Sequence, residues 1–277
     1  MKEVIWITNG ITRTRFNFID DVENASYIKF ARRESPIITL KENQIGIYYP
    51  TIGGFPKIHG EKVINTNQKA IETARNKREF RIFCIENDIP VPKTWFRIKD
   101  AEIPYIIRRE YHSLSLNMVV VDKGRRHREN EKWIKNKHKL YFSKVLDIES
   151  EYRMFVLDDK IILIFDRDWK GSLEDTINHR NEIRGDRELS FTRRECYNEI
   201  SEEHKQICLN AVKKLGIGFT AVDFAIDKEG ELYILEMNTH PTISGEIVQE
   251  ALAHATRQLI NEEELTPYQP NKIRNTP

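Results

Sequence analysis

The chain has 277 residues, with 44 Lys and Arg against 43 Asp and Glu, a formal net charge of +1, and 39% hydrophobic and 31% charged residues. That length suits about one to three compact units with a sizeable core, and the even charge balance excludes a coat of positive charge for nucleic acid. An aromatic content of 10% argues against a disordered chain, and no run approaches the roughly 18 apolar residues of a membrane span.

The opening run Val4–Ile7 is too short for a signal peptide and stops at Thr8-Asn9-Gly10. With Ile37–Leu40, Gly46–Tyr49 and Lys62–Ile64 it predicts short strands, bounded by Asn-Gly, Ser-Pro and Gly-Gly. Asn67 caps a predicted helix running to about Glu86, and the prolines at 90 and 92 then force an extended chain. Tyr105–Ile107 and Asn117–Val121 read as strands flanking a polar loop that holds His112, Ser113 and Ser115. Residues 122–139 carry eight Lys/Arg against three Asp/Glu, either a solvated helix face or a basic cover for phosphates.

Leu140–Leu146 is a further strand, and Tyr152–Phe165 is a hairpin turning at Asp158-Asp159. Residues 168–190 are polar and loop-like. Ser201–Leu215 is the clearest helix, with Ser201 as its cap, Glu202 and Glu203 in the first turn and Gly216 as its stop. A second hairpin follows, Phe219–Ile226 and Leu232–Met237, then a helix over Ile247–Ile260 and a frayed tail from Thr266. Cys84, Cys196 and Cys208 cannot all pair and form no Cys-x-x-Cys, which predicts reduced thiols in a cytoplasmic protein.

The second hairpin carries the chemistry. It reads TAVDFAID (220–227), KEGE (228–231) and LYILEMNTHP (232–241). Glu236 and Asn238 lie two apart on one strand and share a face, and the hairpin brings Asp223 opposite them. Two carboxylates and an amide suit Mg²⁺ that is also held by substrate phosphates. The competing reading is the solvent face of an amphipathic hairpin.

This hairpin resembles the metal-binding hairpin of the ATP-grasp superfamily, an Asp strand followed by Leu-Glu-x-Asn-x-x-Pro. The similarity runs back through the chain in order. Asn76-Lys77 opens a helix ending in Asn-Asp-Ile-Pro-Val-Pro (87–92), Pro104–Arg108 resembles the strand with a phosphate-binding cation, and Glu151–Val156 with Lys160–Arg167 resembles the arginine-bearing hairpin over the triphosphate. The resemblance covers about residues 70–260. It implies an α+β ATP-grasp fold, two α+β subdomains clamping ATP, after a small diverged N-terminal domain that is β-rich or α/β. The expected divisions are 1–68 for that domain, 69–146 for the small subdomain with its lead-in helix, 147–265 for the large subdomain with the metal site, and 266–277 for a flexible tail.

The resemblance also implies roles. Asp223, Glu236 and Asn238 would hold Mg²⁺, with two ions expected and Mn²⁺ as an alternative. Arg153 and Arg167 would steady the transferring phosphoryl group, or else be surface arginines paired with Glu151 or Asp166. Asn178, in INHRNEIRG (177–185), would line the acyl-phosphate pocket. Nucleotide binding falls to Arg108, His112, Ser113, Arg153 and the hinge Lys144-Val145-Leu146, with Asp147 or Glu149 as the ribose contact. Arg108 stands where the family usually has lysine, and REYHSLSLN (109–117) lacks the usual glycines. His240 is a candidate for the acceptor side, and Trp133 and Trp169 for stacking on a ligand or for partial burial.

The implied reaction joins a carboxylate, activated as an acyl phosphate on Mg-ATP, to an amine or, as a second choice, a thiol, with release of ADP and phosphate. An anionic or macromolecular acceptor is compatible with the basic stretch, and a homodimer is the default assembly. A phosphotransferase acting on a hydroxyl and a nucleotide-responsive nucleic-acid-binding protein are the competing readings.

Overall fold

The computed structural model describes residues 1–9, 16–50, 53–111, 119–121, 139–167 and 194–270. The chain starts with β1 (Glu3–Asn9), α1 (Asn17–Asp20), β2 (Ala25–Phe30), β3 (Ile37–Thr39), β4 (Gln44–Tyr49), β5 (Lys57–His59) and β6 (Lys62–Ile64). Four of these form a wholly parallel sheet in the order β2-β1-β4-β6, while β3 and β5 form a separate parallel pair. Parallel sheets need cover on both faces. Val4, Trp6, Ile47 and Tyr49 pack on one side against Phe155, Phe219 and the last helix. Ile5, Ile7 and Tyr48 pack on the other against Ile71. The sequence did not mark β2 or β5, because their solvent-facing, half-buried residues lack a continuous apolar run.

The predicted helix from Asn67 is two helices, α2 (Gln68–Arg75) and α3 (Lys77–Glu86). Asn76 breaks it by taking an extended conformation, φ −82° and ψ 96°, and its side chain accepts hydrogen bonds from the N–H groups of Arg78 and Glu79. It is thus a second N-cap inside an otherwise helical pattern. The Lys77 N–H, freed from the first helix, donates to the Glu110 carbonyl at 2.8 Å.

A second sheet, antiparallel, comprises β7 (Thr94–Trp95), β8 (Tyr105–Arg109), β9 (Val119–Val121) and β10 (Leu140–Lys144) in the order β7-β10-β8-β9. A third comprises β11 (Ile148–Leu157), β12 (Lys160–Asp166), β13 (Phe219–Asp227) and β14 (Leu232–Asn238) in the order β12-β11-β13-β14, also antiparallel. Between β12 and β13 lies α4 (Glu202–Leu215). Its cap Ser201 accepts from the His204 N–H at 3.1 Å, and Gly216 closes it with φ 77°, a left-handed conformation that favours glycine. After β14 comes α5 (Glu246–Ile260). The result is an α+β fold with α2, α3 and α4 on one face of the third sheet and the parallel sheet and α5 on the other.

Part of the expected tail is docked. The Thr266 N–H donates to Gln258 Oε1 at 3.1 Å, and the Tyr268 N–H donates to the Ile162 carbonyl at 2.9 Å, so one side-chain and one backbone acceptor anchor these residues. No helix among the described residues is long and apolar enough to cross a membrane.

Candidate functional site

Register on the third sheet assembles the site. Arg153 on β11 pairs with Asp223 on β13, and Asp223 pairs with Glu236 on β14. The β13–β14 ladder runs as Phe224↔Ile234 and then Asp223↔Glu236, which leaves Leu235 as an extra residue in a bulge. Leu232 and Ile234 face the core shared with α4, and beyond the bulge Met237 takes over that role. Glu236 and Asn238 therefore share the opposite face with Asp223 and Arg153.

Arg153 forks onto Asp223, Nε to Oδ1 and Nη2 to Oδ2, each at 2.6 Å. Arg167 Nη1 reaches Glu151 Oε1 at 2.6 Å and Asp223 Oδ2 at 2.9 Å. The Asn238 amide nitrogen donates to Glu236 Oε1 at 2.9 Å and to Asp223 Oδ2 at 3.3 Å. Lys77 Nζ, at the start of α3, holds the other Glu236 oxygen. Asp223 is 2% exposed, so the solvent-face reading of this hairpin fails at its most important residue.

Burial alone would raise the Glu236 carboxyl, but Lys77, the Asn238 amide and Arg153 hold it well below the usual carboxylate range. Burial likewise works against the Arg153 charge, and the forked Asp223 carboxylate more than offsets it, lifting the guanidinium above its ordinary value. Arg167 pairs with Glu151, one of the two partners expected of it, and also reaches the central Asp223.

The donor set of Asp223, Glu236 and Asn238 is all oxygen. Among the described residues no group of three or more His, Cys, Asp or Glu gathers as a metal cage. Two carboxylates and an amide instead fit a Mg²⁺ ion that completes its shell with phosphates. Lys77 and the two arginines already supply positive charge to these oxygens, so an ion entering here would take the place of an ammonium on Glu236.

The second sheet meets α3, where Tyr141 and Arg108 act on Arg81. Arg108 lies opposite Tyr141 on β10. Its Nε is buried without a hydrogen-bond partner, and its charge is close enough to act on Arg81. Two residues earlier, Ile106 packs with Val120 and Val145 in a small apolar cluster. The hinge Lys144-Val145-Leu146 links β10 to β11, where the chain passes between the sheets. The Lys144 N–H is spent on the Lys93 carbonyl at 2.8 Å, so this donor is not available to an adenine ring. Asp147 is taken by Lys228 Nζ at 2.8 Å. His240 packs its ring 4.7 Å from that of Tyr49, whose hydroxyl donates to the Pro241 carbonyl. His112, Ser113, Ser115, Trp133, Trp169, Asn178 and the basic stretch up to residue 138 lie outside the described residues.

Sequence reasoning missed two members. Lys77 belonged to a quoted motif, but its contact with Glu236 spans 159 positions and shows only in the fold. Arg81, one helical turn on, is 1% exposed and donates to the carbonyls of Ile234 and Leu235.

Comparisons with known proteins bear on the fold that carries these residues. The RiPP-associated ATP-grasp ligase of Chryseobacterium gregarium, solved with ADP and a leader and core peptide, shares the fold at TM-score 0.62 and 12% identity, covering 96% of this chain and 100% of that one. The N5-carboxyaminoimidazole ribonucleotide synthetase of Thermotoga maritima does so at 0.58 and 12%, covering 96% and 78%. The D-alanine–D-alanine ligase of Bacillus anthracis, complexed with ATP, does so at 0.54 and 12%, covering 95% and 100%. No curated protein sequence matches the chain. The sequence pattern described as "ATP-grasp domain, R2K clade family 2" matches residues 91–244, more than half of the chain. On that match, the chain belongs to the ATP-grasp family, in the second family of its R2K clade.

Proposed function

We propose that this protein is an ATP-dependent ligase that activates a carboxylate as an acyl phosphate and joins it to an amine. The observation that carries the reading is the row Arg153–Asp223–Glu236, continuous across three strands and completed by Asn238, Lys77 and Arg167. A carboxylate oxygen attacks the γ-phosphorus of ATP, the bond to the bridging oxygen breaks, and ADP leaves. The amine then attacks the acyl carbon, phosphate departs with the bond electrons, and the nitrogen loses a proton.

Little of this needs a covalent enzyme group, so positioning and charge do the catalysis. Arg153 and Arg167 supply forked donors for the transferring phosphoryl group, and Asp223 and Glu151 keep those forks aimed when no phosphate is present. Arg108 faces the phosphates from the second sheet, and the Ile106–Val120–Val145 cluster offers an apolar seat for the adenine. Mg²⁺, as one or two ions held by Asp223, Glu236 and Asn238, would neutralise charge developing on the γ-phosphate. His112, Ser113 and Asn178 keep the phosphate-side roles that the family resemblance implies. The names of the three solved relatives mention a peptide, a ribonucleotide and D-alanine, so the acceptor class is open to a peptide or a small amine.

Glu236→Gln tests the reading. It keeps the side chain's shape and removes one metal-binding oxygen charge. Mg²⁺-dependent ADP formation should fall by about a hundredfold or more, in line with the loss of a main electrostatic contact. Turnover within twofold of the parent would sink the metal assignment.

A further inference from the structure

We propose that Arg81 is a positioning residue that sets the face on which Glu236 and Asn238 stand, acting through the backbone of β14. This rests on the reading that these residues bind Mg-ATP. A continuous β13–β14 ladder would place Leu235 opposite Asp223 and Glu236 opposite Val222. Glu236 would then turn toward the face of Val222 and Phe224, away from Asp223. The extra residue Leu235 prevents this.

A bulge leaves backbone groups outside the ladder, and these must find partners. Here two carbonyls find their partners in one buried side chain. Arg81 Nη1 donates to the Ile234 carbonyl at 2.9 Å and Nη2 to the Leu235 carbonyl at 2.8 Å. The Ile234 N–H also points away from β13 and donates to the Pro90 carbonyl at 2.8 Å. Two consecutive carbonyls received by one planar fork define the bulge as no single donor can. Burial draws the Arg81 guanidinium below its ordinary value, and Arg108 adds to this while the Tyr141 hydroxyl opposes it. Arg81 thus bonds the backbone of β14 and lies within electrostatic reach of Tyr141 and Arg108 on the second sheet. Lys77 lies one turn earlier on α3, so a single helix fixes both the carboxylate of Glu236 and the backbone that carries it.

The test compares Arg81→Met, Arg81→Lys and Glu236→Gln in the full chain. One readout is amide hydrogen exchange over residues 232–238 without metal or nucleotide. The other is Mn²⁺ binding followed by electron paramagnetic resonance with ADP present. In Arg81→Met, exchange over 232–238 should speed up at least tenfold while exchange over α4 stays within twofold, and Mn²⁺ affinity should fall at least tenfold. Arg81→Lys reaches one carbonyl at a time and should give an intermediate loss in both readouts. If Arg81→Met does not fold, Arg81→Lys alone decides.

Unchanged exchange and Mn²⁺ affinity in a folded Arg81 variant would overturn the proposal, as would equal acceleration over α4. Glu236→Gln separates the two levels. If it leaves Mn²⁺ affinity intact, the metal-site reading fails. If it abolishes binding while the Arg81 variants do not weaken it, only the role of Arg81 fails.

Discussion

Asp223 and Glu236 stand directly opposite each other on neighbouring antiparallel strands, and each carboxylate is held by its own cation, Arg153 for the first and Lys77 for the second. Like charges facing each other across a ladder destabilise it. The chain keeps this pair by surrounding it with Arg153, Arg167, Lys77 and the Asn238 amide, which bridges both carboxylates. Such an arrangement costs stability, and on the proposed function a phosphate and a divalent cation would replace these protein charges.

The Arg153–Asp223 fork is almost wholly buried, with side-chain exposures of 14% and 3%. Arg153→Met leaves a buried carboxylate without its fork, and a loss of about 3–5 kcal/mol is expected. Adding Asp223→Leu removes that stranded charge, so the double variant should be less destabilised than the two single losses summed. Urea unfolding of the four proteins checks this, and strict additivity would contradict a coupled pair.

On the proposed function, Lys77 competes with a metal ion for Glu236. In Lys77→Met an incoming ion no longer displaces an ammonium, so Mn²⁺ affinity without nucleotide should rise by about tenfold, the scale of one charge-assisted hydrogen bond. Titration of the metal-free protein measures it. Unchanged or weaker affinity would show that Lys77 does not occupy the ion's place.

The three cysteines give the protein a pH signature. All are at most 1% exposed, and burial pushes the thiols of Cys84 and Cys196 up to about 12 and that of Cys208 higher still. Unfolded thiols titrate near roughly 8.5. The native state therefore holds these protons where the unfolded state releases them. Stability is fully present below pH ~8.5 and declines as pH rises toward the native values, by up to about 1.4 kcal/mol per pH unit for each thiol. Urea midpoints at pH 7.5, 9 and 10 should fall in that order, and replacing Cys208 with alanine should flatten the slope. A midpoint independent of pH over this range would contradict the burial of the thiols.

Much of this structure was legible where the signals are local. Ser201 and Gly216 bound α4 through side-chain capping and a left-handed residue, and Asp158-Asp159 marks the β11–β12 turn. The Asp223, Glu236 and Asn238 set was readable because side chains two apart on a strand share a face. What remained hidden depends on distance or on backbone detail. Asn76 is a neutral member of a helical stripe until its own side chain caps the second helix. Leu235 looks like one more alternating apolar residue, yet it is the extra one that turns Glu236 to the proper face. No pattern in sequence announces that Arg81 will seek carbonyls more than 150 positions away. The edge strand β2 escaped because an edge needs no continuous apolar run.

The fate of the γ-phosphate tests the proposed reaction most directly. The protein is incubated with Mg²⁺ and γ-labelled ATP against a panel of carboxylates and amines, singly and paired, and label and products are followed by mass spectrometry. The expected result is ADP and free inorganic phosphate only when a carboxylate and an amine are both present, with a condensed product lighter than the pair by one water. Label retained on an acceptor hydroxyl, or ADP formation that ignores the amine, would contradict a carboxylate–amine ligase.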